Sequence, residues 1–179
     1  RHVNISCFLG ANSKDGFHSL YSGFCRAPGD YLSVVKGGPG TGKSGFMRKL
    51  GAEAEHRGLD VEYILCSGDP DSLDGVYIPA MRRGWLDGTA PHGADPVHFG
   101  IDGDYVNLGV FCTPLPPASS SEAMRLYGEY KAEYDAAYGY LASASAVRGA
   151  YLPPLWGEEQ RSALRRRLRN ILRRCRRQD

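Results

Sequence analysis

Apolar residues alternate at the start of the chain: in HVNISCFLG (2–10), Val3, Ile5, Cys7 and Leu9 share one face, the pattern of a half-buried strand. After the loop GANSKDG, Phe17, Leu20, Tyr21 and Phe24 fall at helical spacing and predict a short helix. DYLSVVKG (30–37) is rich in β-branched residues and follows Pro28-Gly29, so it predicts the next strand. From Lys43 to about Arg57 the period becomes helical, with Phe46, Met47, Leu50 and Ala54 inward and Gly58 placed to end the helix. VEYILCS (61–67) and the short RGWLD (83–87) predict two further strands. Strands that alternate with helices in this way point to an α/β fold, a three-layer parallel sheet of the P-loop NTPase type.

The pattern changes after TPLPPASSS. Ser119 followed by Glu122 has the form of a capping box, and Tyr127, Tyr130, Tyr134, Tyr138 and Leu141 then keep helical spacing to about Val147. YLPPLW interrupts, and a second helix carries Leu164, Leu168, Ile171, Leu172 and Cys175 on one stripe among arginines. The chain therefore divides into a nucleotide-binding domain over 1–115 and a helical hairpin over 116–179, the hairpin ending in a basic amphipathic helix. The row of tyrosines suits helix packing, with base stacking as the alternative.

Composition and charge add three constraints. No run reaches the roughly 18 to 20 apolar residues of a membrane span, and the start lacks the apolar core and cleavage site of a secretory signal. The five cysteines are scattered with no C-x-x-C pair, which fits a reducing cytoplasm better than a disulfide framework or a zinc site. The formal charge of +2 hides a polarity: nine of the 22 basic residues lie in 161–179 beside one acid, leaving 13 basic against 19 acidic groups elsewhere. Only the tail could meet nucleic acid or an acidic partner through charge.

KGGPGTGKS (36–44) supplies the candidate chemistry. Gly37, Gly38, Pro39, Gly40, Thr41, Gly42, Lys43 and Ser44 form G-x-x-x-x-G-K-S between a predicted strand and a predicted helix, the Walker A pattern. Glycines let successive backbone N–H groups converge on an anion, and the helix start adds its positive end. Lys43 is expected to bridge β- and γ-phosphates of ATP, and the Ser44 hydroxyl to bind Mg²⁺. Asp87, at the end of a short apolar run, is the expected second anchor for Mg²⁺ through a water. The next residue is Gly88, so no adjacent Glu can activate a water. Asp69, with Asp71 and Asp74, stands past a strand end and is a candidate base, or else a turn former. His92 is a candidate γ-phosphate contact, or an incidental loop histidine.

KGGPGTGKSGFMRKLG, DVEYILCSGDPDSLDGVYIP, GWLDGTAPH and VNLG together resemble a family of uncharacterised bacterial P-loop ATP-binding proteins. The likeness covers most of residues 1–115. It implies ATP binding without an established reaction, and a longer chain with two P-loop halves, of which this is the first. The arginine density of the tail departs from that family.

Three functions follow from these readings. The first is a Mg²⁺-dependent ATPase with Lys43, Asp87, Asp69 and His92 in the reaction. The second is a small-molecule or nucleotide kinase, with Asp69 and Asp71 at the acceptor and the hairpin as a lid. The third is a non-enzymatic, nucleotide-gated module whose basic helix meets its partner.

Overall fold

A computed structural model describes residues 3–25, 27–89, 95–96, 102–114, 116–151 and 157–175. Its centre is a six-stranded sheet made of β1 (Asn4–Phe8), β4 (Tyr31–Lys36), β5 (Val61–Leu65), β6 (Leu73–Ile78), β7 (Arg83–Asp87) and β8 (Asp102–Asn107), in the order β1-β5-β6-β7-β4-β8. A separate two-stranded hairpin, β2 (Gly10–Ser13) with β3 (Gly16–Ser19), follows β1. The helices are α1 (Lys43–His56), α2 (Pro117–Tyr151) and α3 (Glu158–Cys175).

The expected parallel, three-layer P-loop NTPase sheet is corrected here. β1 with β5, β4 with β7 and β4 with β8 are parallel, but β6 runs antiparallel to both β5 and β7. Loop length gives the reason. A parallel crossover needs a dozen residues or more, whereas residues 66–72 and 79–82 are short enough only to reverse the chain. The second reversal is a 3-10 turn, Pro79–Met81, closed by Arg82 in the left-handed region at φ 52°. Asp74, expected in a loop as a candidate base or a turn former, lies instead within β6, a strand that the sequence pattern did not predict.

The two faces of the sheet are also covered differently. Val35, Val61, Leu73, Val76, Ile78 and Trp85 pack under α1 against Met47 and Ala54. The neighbouring, opposite-facing Leu32, Val34, Ile64 and Leu86 pack against Tyr21, Phe24 and Cys25. That second face is closed by the region around β2 and β3 and a 3-10 turn, Tyr21–Gly23, in place of the short helix expected over 17–24. β1 forms as a strand, but it is an edge strand: Val3 and Ile5 are exposed, so the half-buried face expected there is only partly buried, at Cys7 and Leu9. α1 matches its expectation, and Gly58 past its end takes φ 75°. α2 begins two residues ahead of the anticipated Ser119 cap, at Pro117, where a missing N–H costs nothing. It reaches the rest of the molecule at β2, where the Tyr138 hydroxyl donates to Asn12 Oδ1 at 2.8 Å.

Several tyrosines are held protonated by burial. Burial, with a hydrogen bond to Glu55, pushes Tyr63 up to about 12, and burial with a bond to Asp30 does the same for Tyr77. Burial beside Asp74 raises Tyr21 well beyond the ordinary phenol range. A pKa raised on folding contributes stability that is complete below the unfolded value, about 10, and is lost as pH climbs through the folded value. Stability to urea is therefore expected to decline steadily from pH 10 to 12, with part of the phenolate absorbance appearing only on unfolding. Full tyrosine ionisation before unfolding would contradict this.

Candidate phosphate-binding site

β4 and β7 lie side by side and parallel, with Val35 opposite Asp87. Their C-terminal ends therefore open at one place, and the chain leaving β4 forms the glycine loop there. Gly37, Gly40 and Gly42 take φ of 151°, 79° and 85°, conformations that side chains rarely adopt. A Cβ at Gly37 would also overlap the Thr41 side chain, whereas Gly38, Gly40 and Gly42 face open space. Gly42 precedes α1 and carries no side chain to cap it, so the first-turn N–H groups have no side-chain acceptor at that position.

Lys43 begins α1 with only 9% of its side chain exposed. Its ammonium donates to the Gly37 and Gly38 carbonyls at 2.8 and 3.1 Å, and Asp87 Oδ2 lies 3.8 Å away. Asp87 is fixed in turn: its Oδ1 accepts the Thr89 N–H at 2.7 Å, and Thr89 Oγ1 donates to Gly37 O at 3.4 Å. Lys36 donates to Gly88 O at 2.7 Å and so pins the same turn to the end of β4. The structure thus brings Lys43, Asp87 and the glycine loop together.

Ser44 is tied to β6. Its Oγ accepts the Leu73 N–H at 2.8 Å, and one turn along α1 Arg48 donates to the Asp71 carbonyl at 2.5 Å. These two bonds hold the aspartate loop 66–72 against the start of α1. A hydroxyl oxygen has two lone pairs, so Ser44 retains one for a cation.

The other candidates fare unequally. Asp69 is exposed and its carboxylate accepts from Asp71 N–H at 3.2 Å and Ser72 Oγ at 2.8 Å, the bonding of a turn former. Asp74 lies within β6, 3% exposed, and accepts from the Tyr21 hydroxyl at 2.5 Å on the face away from α1. It is a core residue. His92 lies outside the described residues. Cys66, in the same loop, has its thiol pushed up by burial, which opposes thiolate chemistry there.

Among the described residues no cluster of three His, Cys, Asp or Glu side chains could cage a metal. One serine hydroxyl and one carboxylate suit Mg²⁺, which takes few protein oxygens and completes its shell with water and phosphate. No local pattern marks Arg48 or the Leu73 N–H as part of this site, and only the Asp-Gly-Thr turn signal at 87–89 points to Thr89. Among the described residues no helix is long and apolar enough to cross a membrane. Set against protein-family models, curated proteins and solved structures, the chain finds no match.

Proposed function

We propose that residues 36–44 hold the phosphates of ATP with Mg²⁺, and that the chain is a slow ATPase. The observation that carries this reading is a buried ammonium, Lys43, set among left-handed glycines at a helix start with Asp87 3.8 Å away. A lysine held in this way by two carbonyls is poised to exchange them for phosphate oxygens, whose full charge it matches better. Backbone N–H groups of the loop and of the first turn of α1 would share that charge. Ser44 and Asp87 are the oxygens offered to Mg²⁺, Asp87 through a water. The ion would supply neutralisation of charge on the phosphates.

The water-activating group is the weak part of the machinery. Asp69 is spent on its own turn, and residue 88 is glycine, so slow turnover is the expected behaviour. The likeness to two-halved P-loop ATP-binding proteins agrees with this reading, and a second half is part of the proposal. We place the activity in the cytoplasm, since the five cysteines are scattered with no C-x-x-C pair.

γ-Labelled ATP with Mg²⁺ tests the reading: free labelled phosphate should appear and should require the metal. Asp87→Asn should lower turnover roughly 10- to 100-fold, the range typical for a group that orients a metal's ligands, and should raise the Mg²⁺ concentration needed. Unchanged turnover in that variant would remove Asp87 from the site. Label in an organic product would replace hydrolysis by phosphoryl transfer.

A further inference from the structure

Two adjoining cavities of about 620 and 580 Å³ lie away from the glycine loop, between α2 and loop 66–69. Both are lined by Asn12, Ser67, Gly68, Tyr130, Tyr134 and Tyr138. Their size is that of small-molecule sites. The shared wall is the tyrosine row, and its rings are not coplanar. Tyr130 and Tyr134 have centroids 4.9 Å apart and planes tilted by 54°; Tyr134 and Tyr138 are 6.2 Å apart and inclined by 61°. Successive ring faces thus form angled walls.

The row is also fixed in place. Tyr138 donates to Asn12 Oδ1 at 2.8 Å, and Asn12 Nδ2 donates to Ser67 O at 3.2 Å. A Cβ at Gly68 would overlap the Tyr134 hydroxyl, so glycine there lets the ring close on the loop. Burial and contact with Tyr130 push Tyr134 up to about 12, which keeps its ring neutral.

The charges around these walls are mainly negative. Asp69, Glu133 and Asp135 line the cavities, with Lys131 as the basic member. Aromatic faces and carboxylates both attract cations and both repel phosphate. We infer that this cleft is a second ligand site, independent of the glycine loop, that takes a small organic cation, an ammonium or guanidinium group on an apolar body. The same charges disfavour stacking of nucleotide bases on these tyrosines.

Calorimetric titration with benzyltrimethylammonium, neutral benzyl alcohol and anionic phenylacetate tests the assignment on the full chain. The cation should bind roughly tenfold more tightly than the alcohol, the scale of a desolvated cation–π contact, and the anion should not bind. Tyr130, 56% exposed, can be changed without endangering the core. Tyr130→Leu and Asp135→Asn should each weaken the cation several-fold while circular dichroism stays unchanged. Equal binding of alcohol and cation, failure of all three to bind, or full affinity in both variants would overturn the assignment. ATP is absent from the titration, so its outcome stands apart from that of the phosphate site.

Discussion

Lys43→Ala is expected to lose most of the chain's affinity for ATP while remaining folded. The ammonium is almost fully buried and lies 3.8 Å from Asp87, so its removal leaves an acidic group facing the incoming phosphates. Losing one member of a buried, hydrogen-bonded charge pair costs about 2–5 kcal/mol, or roughly 30-fold to several thousandfold in Kd. The variant also lacks the bonds to Gly37 and Gly38 that hold the loop before ligand arrives. Equilibrium binding of a fluorescent ATP analogue, with thermal melting as the check on folding, measures the effect. Wild-type affinity in this variant would detach Lys43 from any phosphate.

The second large effect concerns stability. Asp74 and Tyr21 are joined by a buried 2.5 Å bond across the face opposite α1. Asp74→Ala removes the acceptor of this Tyr21 hydrogen bond within the cluster that includes Leu32, Val34 and Leu86, and leaves a small void. A lost hydrogen bond to a charged group with its desolvated partner costs about 2–4 kcal/mol. Urea unfolding of Asp74→Ala, Tyr21→Phe and the double variant should show costs that add to more than that of the pair changed together, by about 1 kcal/mol or more. Strict additivity would mean that the two side chains do not stabilise each other. ATP affinity in a folded Asp74 variant should stay near wild type, since Asp74 bonds to Tyr21 on the sheet face opposite α1.

That placement shows what local sequence could and could not convey. The glycine loop and α1 were legible because Gly37 to Ser44 are contiguous and the following helix has a clear 3.6-residue period. Asp87 was legible because it ends an apolar run. β6 was hidden: LDGVYI contains Asp-Gly, a common turn pair, yet here Gly75 packs against Ile64 and Asp74 is buried by Tyr21. Missing that strand made a mixed sheet read as parallel. The spacing of Phe17, Leu20, Tyr21 and Phe24 likewise suggested a helix, although Lys14-Asp15 makes a two-residue reversal between β2 and β3, with Gly16 at the start of β3 at φ 95°. Contacts such as Ser44 with Leu73, Arg48 with Asp71 and Thr89 with Gly37 span 23 to 52 positions, and no local pattern encodes them.

Those long-range bonds matter for the chemistry. They fasten the aspartate loop and the Asp87 turn to the glycine loop, so the site has a defined shape before any ligand enters. Asp69, by contrast, is occupied by local bonds from Asp71 N–H and Ser72 Oγ, which is why slow hydrolysis is expected of the proposed site.

The most direct test of phosphate recognition is a calorimetric comparison of ATP and AMP in the presence of Mg²⁺. Because Lys43, the glycine loop and Ser44 are read as contacts for the outer phosphates, AMP should bind at least roughly 100-fold more weakly than ATP. AMP binding as tightly as ATP, or no binding of ATP at all, would contradict the account.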